Sequence, residues 1–343
     1  MKLFLNFIFK LGLNSESFEI MKIPEFIKHV LVSILAIFVS SACATIQLGP
    51  SLGPLEETVL EGKGPGKILL IDIQGIINNQ KDHALTGATT ALGMVESIRE
   101  IIAKAGKDEN IKALLIKINS PGGTVTASDI ILHELLLYKK KHVIPIYVQV
   151  MDLAASGGYY IALAGDEIIA HPTSLIGSIG VIAFKVNLEN LMEKIGVDWE
   201  IVKSGDKKDF MSPFRSFTDE ERELFQRTID TFHDRFVSII AKNRRDLNFE
   251  EVKTLADGRI FDSKQAVKLN LIDRIGYMSD TVERIKLRLE NPDLQVITYQ
   301  REGDYKSNLY SLHPQPPAFN FINLNLGLDK NSLSPYFLYL WMP

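Results

Sequence analysis

Val143-Ile-Pro-Ile-Tyr-Val-Gln-Val150 runs through Met151-Asp-Leu-Ala154 into Ala155-Ser156-Gly157-Gly158-Tyr159-Tyr160-Ile161-Ala162, and this junction decides the fold. The first run is apolar and β-rich, and the second has helix-like spacing. Together they read as strand, turn and helix, with Ser156 lifted to the helix head. Free N–H groups and the helix dipole favour negative charge there. A serine becomes a nucleophile only beside a base, so the search moves outward to find one.

Strands and helices alternate on both sides of the junction. Lys67 to Gln74 (KILLIDIQ) reads as a buried strand, and Ala91 to Ala105 has helical spacing at Leu92, Val95, Ile98, Ile101 and Ile102. Ala113 to Ile118 is the next strand and ends in Asn119-Ser-Pro-Gly-Gly123, read as a tight turn; a helix over Thr124 to Lys141 follows. Beyond Ser156 come a helix over Glu189 to Ile195 and a strand over Asp198 to Lys203. Next is a long helix over Thr218 to Arg244, acidic at its start and basic at its end. Shorter helices fall at Phe249 to Ala256, Ser263 to Leu269 and Asp280 to Leu289. Such alternation predicts an α/β fold with largely parallel pairing.

The 343 residues are 46% hydrophobic and 23% charged, with a net charge of -4. A sizeable core is therefore within reach, and nothing in the charge balance marks a nucleic-acid surface. No Walker loop, zinc cluster or calcium loop is visible, so no cofactor or metal is expected. The single cysteine, Cys43, closes the apolar run from Val30 and follows Lys22, Lys28 and His29. That anatomy predicts an export signal at the cytoplasmic membrane, with the remainder on the extracytoplasmic side. Two fates stay open: lipidation of Cys43 after cleavage at Ser40-Ser41-Ala42, or retention as a membrane helix. Met21 is a better start than Met1 by its flanking lysine. The expected organisation is an extension and anchor over 1–46, a linker over 47–66, a catalytic domain over 67–300 and a tail over 301–343.

Four segments in this order carry a family resemblance. They are Asn119-Ser-Pro-Gly-Gly123, Ala155-Ser-Gly-Gly-Tyr-Tyr-Ile-Ala162, Gly177-Ser-Ile-Gly-Val-Ile182 and Ser204-Gly-Asp-Lys-Lys-Asp-Phe-Met-Ser-Pro213. Together they resemble signal peptide peptidase A, the protease IV group, in a short single-domain form. The resemblance implies a crotonase- or Clp-protease-like fold of repeated β-β-α units. It also implies a Ser/Lys dyad, with Ser156 as nucleophile and Lys208 as base. Lys207 competes with Lys208, because adjacent side chains of an extended segment point opposite ways. An oxyanion hole is implied at Gly122 and Gly123, shared with the Gly157 amide. Ser178 and Ser212 are candidates for orienting the lysine. Ser263 and Asn270 depart from the family pattern, where glycine is usual.

The chemistry sets a demand. A lysine base must titrate near neutrality, about three units below its free value of about 10.4, and desolvation provides such shifts. Phe210, Met211 and Phe214 are the expected source of dry surroundings. The histidines sit in no triad signature, and no Gly-x-Ser-x-Gly elbow occurs. Asp152 and Asp166, which flank the serine segment, are read as strand or helix ends.

The expected function is a membrane-associated serine endopeptidase that degrades cleaved signal peptides and other apolar peptides. The resemblance implies a homo-oligomer in which the serine and the lysine come from neighbouring protomers. The alternatives are an inactive peptidase-like scaffold at the membrane and a crotonase-like acyl-CoA enzyme. One further expectation concerns the apolar finish Pro335-Tyr-Phe-Leu-Tyr-Leu-Trp-Met-Pro343. Two readings stay open for it: ordinary buried packing, or an extended strand in the substrate groove of its own or a neighbouring subunit.

Overall fold

A computed structural model describes residues 53–80, 82–83, 89–301, 307–311 and 337–342. The anticipated anchor segment, Cys43 and both candidate starts lie outside the described residues. Among the described residues no helix is long and apolar enough to cross a membrane.

The strands are β1 (Glu56–Glu61), β2 (Lys67–Ile77), β3 (Asp82–His83), β4 (Thr89–Ala91), β5 (Ile111–Thr124), β6 (Ile146–Ala155), β7 (Glu167–Ala170), β8 (Leu175–Gly177), β9 (Ile260–Asp262), β10 (Arg274–Ile275), β11 (Gln295–Gln300) and β12 (Leu338–Leu340). The helices are α1 (Met94–Ala105), α2 (Val125–His142), α3 (Gly157–Ala162), α4 (Glu189–Lys194), α5 (Asp219–Asn243), α6 (Phe249–Leu255), α7 (Ser263–Lys268) and α8 (Met278–Arg288).

The main sheet runs in the order β1-β11-β2-β5-β6-β7-β10. Every neighbouring pair from β11 to β10 is parallel, and β1 pairs antiparallel with β11. This is the α/β arrangement the alternation predicts. The central strands are apolar along their whole length because both faces are covered: Ile68 to Ile71, Ala113 to Ile116 and Val148 are all buried. The α1 and α2 helices pack on one face through Val95, Ile98, Ile131 and Leu135; α8 covers the other through Met278, Val282 and Ile285.

Three elements differ from the sequence reading. The stretch read as a linker contributes the edge strand β1, Glu56–Glu61, which pairs with β11. The Asn119–Gly123 segment is not a turn but the end of β5, which stays extended to Thr124. Gly122 makes this feasible: its φ of +100° is a conformation open to glycine and costly for other residues. Finally, Asp198 to Lys203 forms no strand. Trp199, Ile201 and Val202 are exposed and no strand among the described residues pairs with this segment, so alternation alone could not make a ladder.

The long α5 helix starts as its sequence directs. The Thr218 hydroxyl accepts from the Glu221 amide, and the Glu221 carboxylate accepts from the Thr218 amide, a closed capping box. Asn270, standing where glycine is usual, has φ +56°, a left-handed conformation that asparagine tolerates better than most residues.

Candidate active site

The junction read from the sequence is a strained turn. β6 ends at Ala155, α3 begins at Gly157, and Ser156 between them has φ +52° and ψ -113°. A non-glycine residue at such angles costs on the order of 1–3 kcal/mol and persists only where its surroundings enforce it. Here they do. The Ser156 amide donates to the Gly177 carbonyl at 2.7 Å, the Tyr160 amide donates to the Ser156 carbonyl at 2.9 Å, and α3 is buried throughout. Ser156 itself is 1% exposed. Its hydroxyl donates to the Gly180 carbonyl over a long 3.5 Å.

The glycine strand lies directly beside it. A Cβ on Gly122 would come within 2.7 Å of the Gly157 nitrogen, and a Cβ on Gly157 within 3.1 Å of the Gly123 nitrogen. The amides at Gly123 and Gly157 therefore sit close together at the serine. The Gly122 amide is engaged elsewhere. It donates to the Ser120 hydroxyl at 3.0 Å, which in turn donates to the Gly75 carbonyl at 2.6 Å. Of the three glycines read as oxyanion donors, Gly122 thus contributes space and backbone geometry rather than a free N–H. Ser120, not singled out from the sequence, fixes that geometry.

The space in front of these glycines holds the C-terminal strand. β12 pairs antiparallel with the end of β5 in the register Leu338↔Thr124, Tyr339↔Gly123 and Leu340↔Gly122. On its other side Leu338 exchanges two backbone hydrogen bonds with Ile182, at 2.9 and 3.0 Å. The apolar tail lies as an extended strand in the groove beside Ser156, within its own chain. A cleft of about 520 Å³ continues past it, lined by Ser178, Gly180, Ile182, His233, Trp341 and Met342.

The lysine segment lies on a separate, well-braced loop. Asp209 accepts from Arg215 at 2.9 and 3.0 Å and from Lys203 at 2.8 Å, and Arg215 also donates to both oxygens of Glu221, at 2.7 and 2.8 Å. These bonds to cations hold the Asp209 carboxyl well below its usual range and lower Glu221 from 4.5 to about 2. Lys185 ties the loop from beneath, donating to the Phe210 and Arg215 carbonyls at 3.3 and 2.7 Å. Burial pushes its ammonium down, and it lies 4.1 Å over the Phe217 ring. Capping spacing announces Glu221 in the sequence. Arg215 and Lys185 are tertiary partners that no local pattern marks.

Lys207 and Lys208 face different surroundings. Lys207 forms an ion pair with Glu220 at the start of α5. Lys208 is exposed and, among the described residues, its ammonium holds no hydrogen bond or ion pair. The aromatic residues expected to dry it are engaged elsewhere: Phe210 lies near Phe217 and Phe225, and Phe214 packs on Trp199. The structure thus brings Ser156, Gly123 and Gly157 together, and gives Lys208 no partner among the described residues.

The remaining candidates have local roles. Ser178, at φ +47°, donates its amide to the Arg259 carbonyl. The Ser212 hydroxyl accepts from the Phe214 amide at 3.3 Å. Asp152 accepts from Asn119, and Asp166 accepts from the Ile146 amide and pairs with Lys139. Among the described residues no His/Cys/Asp/Glu group is arranged to hold a metal ion.

Residues 138–291 match peptidase family S49, and residues 81–176 match the Clp protease family. The chain is 38% identical over 251 residues to an Enterococcus faecium protein named for signal peptide peptidase SppA, covering 72% of this chain and 71% of that protein. It is 33% identical over 221 residues to protease 4 of Haemophilus influenzae, covering 64% of this chain and 34% of that one. It is 31% identical over 230 residues to the chloroplastic serine protease SPPA of Arabidopsis thaliana, covering 67% and 33%. The chain thus spans about a third of the length of these last two relatives. Among solved structures, a mutant ClpP1 of Listeria monocytogenes aligns with TM-score 0.40 and 17% identity over 63% of this chain and 94% of that one. A serine held at a strained helix head beside paired glycines, in a sequence this close to the Enterococcus protein along most of both chains, places the chain in peptidase family S49 as an SppA-type serine peptidase.

Proposed function

We propose that this peptidase hydrolyses apolar, extended peptides with a Ser156/Lys208 dyad. The observation that carries the reading is the strained Ser156 turn facing the Gly123 and Gly157 amides across a groove that already accepts an extended strand. Ser156 Oγ attacks the substrate carbonyl while the neutral Lys208 amine takes its proton. The oxyanion is held by the Gly123 and Gly157 N–H groups. The C–N bond breaks, and Lys208 gives its proton to the departing amine. Water then attacks the acyl-serine with Lys208 again as base, releasing the acid and restoring the serine.

Lys208 comes from a neighbouring copy in this reading. The loop that carries it is braced by ion pairs, yet its amine is unpartnered among the described residues. In the segment that precedes it, between residues 184 and 202, Phe184, Leu191, Ile195, Trp199, Ile201 and Val202 are exposed, and exposed apolar residues in such number are of the kind that marks a protein interface. Docking this arm on a second copy would cover that surface and dry the amine. The name of the Enterococcus relative motivates cleaved signal peptides as substrates, and the Val30–Cys43 segment motivates an anchored enzyme on the extracytoplasmic face of the membrane.

The purified full chain tested on a fluorogenic apolar peptide decides the chemistry. Ser156→Ala and Lys208→Ala should each lower kcat by about 10³-fold or more, as for groups acting as a unit, with the circular dichroism spectrum unchanged. Wild-type rates in either variant would overturn the dyad, and an inert, fully assembled wild type would favour the scaffold reading.

A further inference from the structure

We infer that the end of the sheet remote from Ser156 is a lipid-facing surface: a basic patch built by α2, β10 and α8, flanked by Val143 and Leu287, that docks on a layer of anionic phospholipid headgroups. The inference is independent of the Ser156/Lys208 chemistry.

The strands place the patch. β6 ends at Ala155 beside the serine and begins at Ile146, so the two ends lie on the order of 30 Å apart. At the Ile146 end, Asp166 accepts from the Ile146 amide at 2.9 Å and pairs with Lys139 at 2.6 Å. Its neighbour Glu167 stands opposite Tyr147 in the register of β6 and β7. That carboxylate accepts from Arg274 at 2.6 Å and from Arg284 at 2.6 and 2.7 Å. Arg288 follows one turn after Arg284 on the same side of α8. Burial pushes the Tyr147 phenol up, and Glu167, Arg288, Arg284 and Asp166 all stand close enough to act on it. Lys140 and Lys141 are exposed in the last turn of α2.

The charges at this end do not cancel. Lys139, Lys140, Lys141, Arg274, Arg284 and Arg288 outnumber Asp166 and Glu167, in a chain whose net charge is -4. Glu283 lies on the other flank of α8, where Lys286 pairs with it and with Glu61. Helix polarity accounts for cations in the last turns of α2 and α8. It does not account for Arg274, which stands on β10. Arg274 and Arg284 bond Glu167 through Nε. Their terminal N–H groups remain to fork onto a phosphate.

Two apolar side chains complete the surface. Val143 closes α2 at φ +54°, a left-handed conformation unusual for a β-branched residue, and is 87% exposed. Leu287, next to Arg288, is 77% exposed. Cations interleaved with outward apolar tips suit the boundary between headgroups and acyl chains, where the cations meet phosphates and the tips enter the layer. Stable attachment to a membrane takes two signals, and a basic surface complements a single apolar or acyl anchor. The Val30–Cys43 segment motivates such an anchor here.

Lysine reactivity reads the docking directly. The full chain is mixed with vesicles of phosphatidylcholine, alone or with about a third phosphatidylglycerol, and acetylation of its lysines is timed by mass spectrometry. With phosphatidylglycerol, Lys140 and Lys141 should react roughly tenfold more slowly than with phosphatidylcholine alone. Lys264 and Lys268, exposed on α7, should keep their rates. Salt at about 0.5 M, where the Debye length is about 4 Å, should restore Lys140 and Lys141. The double variant Leu287→Asp/Arg288→Glu changes exposed positions of α8 and should restore them too, with melting temperature and peptide hydrolysis unchanged. Equal rates on the two vesicles would overturn the inference. So would slow rates on both that survive salt, which would assign this face to contact between copies of the chain, or protection that persists in the double variant. None of these results touches hydrolysis by Ser156 and Lys208, which the peptidase assay judges separately.

Discussion

At the scale of single residues, the site depends on backbone angles that ordinary residues avoid. Ser156 has φ +52° and Gly122 φ +100°, and each holds its neighbouring groups where a relaxed chain could not. The strain at Ser156 has a measurable consequence. Ser156→Gly should unfold at a higher temperature than Ser156→Ala, by the equivalent of about 1 kcal/mol, because glycine relieves the positive φ. Equal melting temperatures would show that the turn is unstrained. Ser156 itself was legible from its strand–turn–helix setting. The division of labour between Gly122 and Gly123 was not. It depends on the Ser120 hydroxyl capturing the Gly122 amide, a contact that no spacing rule encodes.

At the scale of elements, the loop bearing Lys208 is an ionic clamp rather than the strand expected before it. Asp209 and Glu221 have carboxyls depressed below their ordinary values by Arg215. A depressed folded-state value means stabilisation that is complete above the ordinary carboxylate range and lost as pH falls through the folded value. For Glu221 that window runs from 4.5 down to about 2. Intrinsic-rate-corrected hydrogen-exchange protection of residues 203–216 should therefore be level from pH 7 to 5 and fall between pH 4.5 and about 2. Protection that stays level to pH 2.5, or fails already at pH 6, would contradict the clamp. The elements most legible in the sequence were those that pattern and capping jointly specify. α5 is bounded by the Thr218–Glu221 box, and β2, β5 and β6 read as continuous apolar runs. Less legible were β1, whose three glutamates leave only Val59 and Leu60 as an apolar signal, and Asp198 to Lys203, whose Ile201 and Val202 stay exposed among the described residues.

At the scale of the whole molecule, the described residues present a serine on a strained turn, a groove beside it that holds the strand Leu338–Leu340, and a loop whose Lys208 has no partner among the described residues. Composition left the apolar tail between buried packing and an extended strand, and the register of β12 on β5 shows the strand. What composition could not give was which tail residue faces the serine, since a shift of one residue exchanges the buried and exposed faces of a strand. The central claim is that Ser156 of one copy works with Lys208 of another, and subunit mixing tests it most directly. Ser156→Ala and Lys208→Ala chains with different affinity tags are co-expressed, mixed assemblies are purified through both tags, and peptide hydrolysis is compared with that of each variant alone. Inert single variants and an active mixture are the predicted result; an inert mixed assembly, or full activity in the Lys208→Ala chain alone, would contradict it.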